Sequence, residues 1–488
     1  MVWLFISSGL LLGWSLGANH GVNVFGTAVV SRMVRFKVAA ITAGIFVVLG
    51  SVVSGSGPAR TLNELGAVNA LAGSFTVALA VGATITWMTK LTLPVSTSQA
   101  IVGGILGWNV FTGSPTDMSS LSKILSTWVL CPIISAVIAL LLFNALSVSL
   151  RRMKLHILSL DAYTRVGFII VGAFASYSLG ANNIANVMGL FVSANPFDDL
   201  NLFNYFTITG AQQLFFLGGL AIAIGIFTYS YRVMLTVGDE LFKITPISGL
   251  VVILSEALVL FVFASEGLEK WLGSNGLPTI PLVPLSSTQV VIGAVIGVGI
   301  AKGGKGINYK VLGKIAFGWV IAPLAACLLA LVALFIVQNV FEQKVVELTS
   351  YKITLPVIKA LEQENINTNA LEPLKGRLFL GAAGFRHTLR NKSLWTEKEL
   401  FKIFSFAELD SMKVDSVRAK AQCGDLISSE QFRAVCALHG RSFVHRWQLD
   451  TALVKESQEW KLQKGTGYEA VNKKIKQQYH LLYQAFQK

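Results

Sequence analysis

LGANHGVNVFG (residues 16–26) and LGANNIANVMG (residues 179–189) agree at seven of eleven positions, and each lies within a long apolar run. Two further pairs recur in the same order. PVSTSQAIVGGILG (94–107) pairs with PLSSTQVVIGAVIG (284–297), and KILSTWVLCP (123–132) pairs with KIAFGWVIAP (314–323). The offsets are 163, 190 and 191 residues, so the chain carries one unit twice. Glycine clusters alone would serve close helix packing. Packing does not call for Asn and Ser/Thr to return with the glycines.

The surrounding composition sets the environment. Of 488 residues, 53% are hydrophobic and 14% charged, with mean hydropathy +0.61. Soluble domains carry about a quarter charged residues, so a soluble enzyme and a disordered chain are both excluded. Windows long enough for a hydrocarbon core of about 30 Å fall at 2–30, 38–56, 67–91, 93–111, 121–150, 164–193, 206–229, 244–266, 280–300 and 311–341. The expected fold class is an all-α membrane protein of two inverted-topology repeats with broken helices and helical hairpins, followed by a soluble, mainly helical domain. The expected domains are 1–160, 161–341 and 342–488. Inversion follows from an odd number of crossings in each half, the arrangement of many secondary transporters.

Basic residues in short loops set the orientation. One set holds Arg32, Arg35, Lys37, Arg151, Arg152, Lys154, Arg165, Arg232, Lys243, Lys302, Lys305, Lys310 and Lys314; the alternate set holds Arg60, Lys123 and Lys270. The first set is expected in the cytoplasm, with residue 1 and the tail outside. No cleavable signal peptide is evident, since the apolar start lacks a basic leader.

Residues 342–488 hold 23 of the 40 Lys+Arg and 16 of the 26 Asp+Glu, the make-up of a separate, mildly basic soluble unit. A solvated face or anionic headgroups account for such a balance, and no nucleic-acid partner is expected. Helices are predicted at 396–411, 427–439 and 468–486. Cys423 and Cys436 could form a disulfide in an external tail and would be free thiols in a cytoplasmic one.

The repeated motifs carry chemistry. Asn in hydrocarbon is costly unless paired or facing a polar cavity. Asn19 and Asn23, and Asn182 and Asn186, stand four apart, which puts each pair on one helix face. Flanking glycines predict that the first and sixth spans break there and free backbone groups as ligands. In Pro-X-Ser, the Ser is a good N-cap. A helix N-terminus opening deep in the membrane offers unpaired N–H groups and a positive dipole end to an oxyanion. Ser96, Thr97, Ser98, Ser286, Ser287 and Thr288 add hydroxyls. The expected anion ligands are these six with the four asparagines; capping alone is the competing role.

At these residues the sequence resembles the inorganic phosphate transporter family, whose signature is Gly-Ala-Asn-Asp-x-x-Asn in each half followed by Pro-Val-Ser-Thr-Thr. The resemblance covers about residues 1–341 and includes YRVMLTVGDELFKITPISGL (231–250). It implies a rocking or elevator-like symporter in the plasma membrane, with phosphate at the centre, a homodimeric assembly and no cofactor beyond a possible Na+. The chain departs from the signature: His20 and Asn183 stand where both halves should carry Asp. The Glu expected on the following helices aligns with Val47 and Ile253, with Glu256 one turn beyond. The motif endings are Gln99 and Gln289.

Hard cations take oxygen ligands and favour carboxylates, so the loss of two Asp leaves His20, Asn183, Gln99, Gln289 and Glu256 as coupling-ion candidates. His20 could carry a coupling proton, contact the anion, or be a neutral hydrogen-bonded residue. A less negative site also admits sulfate, and a degenerate carrier could serve as a sensor signalling through the tail. A passive channel would need a continuous polar stripe, and an enzyme a nucleophile–base pair or metal cluster within the spans; neither is seen in the sequence.

Overall fold

The computed structural model describes residues 2–90, 95–153, 156–202, 206–234, 245–304, 309–463 and 468–486. Pro94, Lys154, Lys243, Lys305 and the 235–244 part of the YRVMLTVGDELF stretch lie outside the described residues. Helices dominate: α1 (Val2–Val30), α2 (Phe36–Ser54), α3 (Ser56–Leu65), α4 (Leu71–Lys90), α5 (Thr97–Thr112), α6 (Met118–Met153), α7 (Ile157–Met188), α8 (Gly210–Thr228), α9 (Pro246–Val262), α10 (Glu266–Ser274), α11 (Ser287–Ala301) and α12 (Tyr309–Asn339). A two-stranded hairpin, β1 (Leu200–Leu202) with β2 (Phe206–Ile208), precedes α8 and pairs Leu200 with Ile208. Among the described residues, seven helices are long and apolar enough to cross a membrane, or eight if α9 and α10 form one interrupted span.

The ten apolar windows map onto α1, α2, α4, α5, α6, α7, α8, α9, α11 and α12, with two changes of kind. α5 and α11 have only 16 and 15 residues. At 1.5 Å per residue they reach about 24 Å, short of a full crossing. Each is therefore a half-helix too short to cross alone, and its start is buried in the protein.

The predicted break within the Gly-Ala-Asn clusters does not occur. α1 runs unbroken through residues 16–26, and α7 continues to Met188 before a single 3-10 turn, Gly189–Phe191. The interruptions fall instead between α9 and α10 and before α5 and α11. The cluster glycines have another use. A Cβ on Gly17 would lie 1.9 Å from the Ile222 carbonyl oxygen, and one on Gly180 would lie 2.1 Å from that of Val47. Glycine here admits a neighbouring backbone rather than a bend.

The same close approach ties the two copies together. Gly103 on α5 faces the Pro323 carbonyl oxygen on α12, 2.1 Å from an added Cβ, and Gly293 on α11 faces that of Pro132 on α6, at 2.2 Å. Gly103 and Gly293 are repeat equivalents, as are Pro132 and Pro323. Each half-helix thus packs on the long, proline-containing helix of the other copy. One turn further on, Gly297 meets Ala136 and Gly107 meets Cys327 in the same way.

The chain divides into two compact units. The first comprises Met1–Phe111, Thr116–Glu266 and Pro281–Glu347; the second comprises Thr112–Pro115, Gly267–Ile280 and Leu348–Lys488. In the second, one core gathers Ile353, Leu361, Phe385, Leu400 and Phe404, and another gathers Met412, Val435, Leu453, Trp460 and Phe486. Helices Glu397–Ala407, Ser429–Ala437 and Glu469–Phe486 match the three predicted there. Leu355–Gln363, Ala382–Arg390, Ser416–Cys423 and Arg446–Glu456 are additional helices. A groove of about 530 Å³ opens beside Trp460, Tyr479, Tyr483, Lys455 and Lys476. Cys423 is buried, Cys436 exposed, and both are free thiols, as are Cys131 and Cys327.

Candidate functional site

Serine builds each half-helix start. Ser96 Oγ accepts from the Gln99 amide at 3.3 Å, and Ser286 Oγ accepts from the Gln289 amide at the same distance. These N-caps satisfy one amide each. Thr97 and Ser98, and Ser287 and Thr288, occupy the first two helical positions, where N–H groups have no intrahelical acceptor. Apart from half-buried Val95 and Thr288, residues 95–99 and 284–289 are buried.

The last turns of α7 bind these starts together. Asn182 grips the chain on both sides of Pro284: its Nδ2 donates to the Val283 carbonyl at 3.3 Å, and its Oδ1 accepts from the Leu285 amide at 2.9 Å. Asn183 Nδ2 donates to Ser287 Oγ at 2.9 Å and to the Leu179 carbonyl at 3.2 Å. Asn186 Nδ2 donates to Ser98 Oγ at 2.8 Å and to Asn183 Oδ1 at 3.2 Å. Ser98 Oγ in turn donates to the Leu285 carbonyl at 2.7 Å. One network therefore joins α7, the start of α5 and the start of α11, so elements of both copies meet at one place.

The first copy repeats one part of this pattern. Asn23 Nδ2 and His20 Nδ1 are 3.3 Å apart, three residues along the helix, as Asn186 and Asn183 are. With Asn23 Nδ2 as the donor, His20 Nδ1 accepts. The opposing acid of the second copy, Glu256, lies on α9. Glu256 is fully buried, and among the described residues neither of its carboxyl oxygens has a hydrogen-bond partner. Asn19 and Asn23 are half-buried, whereas Asn182, Asn183 and Asn186 are sealed.

Within the repeated motifs, the buried acceptors Gln99 Oε1, Gln289 Oε1 and Asn186 Oδ1 also lack partners among the described residues. Unpartnered buried acceptors are costly and are matched by a ligand that brings a donor or a positive charge. The backbone groups of Val283 and Leu285 were invisible to motif reading, because their part depends on no side-chain type. The only signal available was the proline between them, which has no N–H and leaves its neighbours to find side-chain partners.

Comparison with known proteins agrees with this geometry. The chain matches the phosphate transporter family over residues 16–162, 152–269 and 275–455. A Pyrococcus furiosus protein named "Putative phosphate permease" is 28% identical, the match covering 66% of this chain and 92% of that one. A Haemophilus influenzae protein of the same name is 23% identical, covering 70% and 97%. A solved structure, "The sodium-dependent phosphate transporter", superposes with TM-score 0.56 at 21% identity, covering 69% of this chain and 98% of that one. With its repeated motifs, apolar helices and paired half-helices, this chain is a multi-pass membrane protein that belongs to the phosphate transporter family.

Proposed function

We propose that the protein is a secondary active symporter that carries inorganic phosphate across the plasma membrane, coupled to a cation and acting as a homodimer. In this reading residues 1–160 and 161–341 are the two inverted repeats, and 342–488 is an accessory soluble domain. The observation that supports it most is the meeting of two capped half-helix N-termini, those of α5 and α11, at one hydrogen-bonded centre. Each such terminus carries about half a positive charge and free N–H groups, and two of them facing one place suit a small multivalent oxyanion.

The unpartnered acceptors favour phosphate over sulfate. Phosphate near neutral pH carries a P–OH that donates to Gln99 or Gln289, whereas sulfate has no hydrogen to give. The coupling cation is assigned to the carboxyl of Glu256 on α9, with Asn23 and His20 of α1 as further candidates. An isolated carboxylate buried at this depth is stable only with a proton or a cation on it.

Uptake of labelled phosphate into proteoliposomes, against a gradient, tests the reading. The expected result is accumulation driven by an inward cation gradient, with a tenfold excess of sulfate competing weakly. Equal transport of sulfate would replace the substrate assignment with a general oxyanion permease. Binding without accumulation would make the protein a sensor.

A further inference from the structure

We propose that Asn183 and Asn186 form a cation-free lock that positions the two half-helix starts, so that this cluster supplies no coupling-ion site. This deepens the transport reading and rests on it for its functional meaning, but its physical test does not. Oxygens converge at this place from three elements: the Leu179 carbonyl and Asn183 Oδ1 from α7, Ser98 Oγ from α5, and Ser287 Oγ from α11. Oxygens gathered in this way are what a hard cation binds. Here two amide groups take that place. Each NH2 has two hydrogens, and all four are used, by Leu179 and Ser287 for Asn183 and by Ser98 and Asn183 for Asn186. The Ser98 hydroxyl hydrogen goes to the Leu285 carbonyl, so every donor of the set is placed, while Asn186 Oδ1 stays without a partner among the described residues.

The residues involved are at most 1% exposed. Among them there is no carboxylate to neutralise an added charge. A cation entering would have to displace covalently fixed donors and would remain uncompensated. Asn183 is the position where the family signature has Asp. A carboxylate there would set an oxygen against the Leu179 carbonyl, where the Asn183 amide now donates at 3.2 Å. Only a cation or a proton between them would relieve that contact. Asn183 thus acts as a positioning residue: it holds Ser287 at the start of α11 without an ion.

The test compares wild-type protein with Asn183→Asp. Purified full-length protein in nanodiscs at pH 8 is melted with sodium replaced stepwise by choline. Sodium is expected to raise the melting temperature of Asn183→Asp by at least about 3 °C more than that of wild type, because it binds the folded variant alone. In proteoliposomes, sodium should lower the phosphate KM of the variant at least tenfold. Wild-type uptake should depend on sodium to the first power or not at all. Equal sodium shifts in the two proteins would overturn the proposal. So would wild-type uptake that rises with the square of sodium concentration, a measurement that decides the matter even if the variant does not fold. A wild type that moves no phosphate would refute the transport reading and leave the melting comparison to judge the lock.

Discussion

Asn182→Ala removes both hydrogen bonds across Pro284 at once. The side chain is fully buried, donates to Val283 at 3.3 Å and accepts from Leu285 at 2.9 Å. Truncation leaves a buried carbonyl and a buried N–H without these partners. Each unmade buried group costs about 1–3 kcal/mol, so the pair costs about 2–6 kcal/mol. At roughly 2–4 °C per kcal/mol for a large domain, the purified protein should melt at least about 4 °C lower. Unfolding followed by tryptophan fluorescence in detergent measures this directly. Asn182→Leu, which refills the volume without the hydrogen bonds, should melt nearly as low as the alanine variant and so separate lost polarity from a cavity. The loop that loosens carries Ser286, the cap of α11, so the phosphate KM should rise with the fall in stability. An alanine variant melting within about 1 °C of wild type would refute the clamp. If phosphate binding were lost in that stable variant, the amide would instead be a ligand.

Two other perturbations follow from different parts of the molecule. Gly103→Ala and Gly293→Ala each drive a methyl onto a backbone carbonyl that cannot move aside, 2.1 and 2.2 Å away. Each should cost about 1–3 kcal/mol or more, while Gly82→Ala on α4, which meets nothing within 4 Å, should be neutral or slightly stabilising in thermal melts. In the soluble unit, burial pushes Asp450 up from 3.8 to about 6, against the hydrogen bond from Tyr483. A carboxyl that holds its proton more tightly when folded stabilises fully below about pH 4 and loses that contribution as pH rises through 6. Asp450→Asn should therefore gain on wild type between pH 4 and 6, by at most about 3 kcal/mol, in melts across that range. A difference that does not change with pH would show that Asp450 has no part.

Much of the membrane unit was legible along the chain. Ten apolar windows became ten helices, and Pro-X-Ser marked the half-helix starts because serine capping is a local interaction between residues three apart. The Gly-Ala-Asn clusters were misread as breaks. Glycine permits both a kink and a close neighbour, and only the position of Ile222 or Val47 separates the two. In the tail, Glu397–Ala407, Ser429–Ala437 and Glu469–Phe486 were anticipated. The short, charged segments Ala382–Arg390 and Ser416–Cys423 were not, since helices of nine and eight residues depend on packing for their stability.

Composition and internal duplication were enough to establish a membrane chain built twice from one unit, because hydropathy and residue identity need no partner to be read. Which polar groups at the centre are already matched is a different kind of property. The sealed amides of Asn182, Asn183 and Asn186, the unpartnered oxygens of Gln99 and Gln289, and the lone carboxyl of Glu256 look alike as motif members. A hydrogen bond forms only within about 3 Å, and distances of that order between residues a hundred positions apart exist only once the chain has folded.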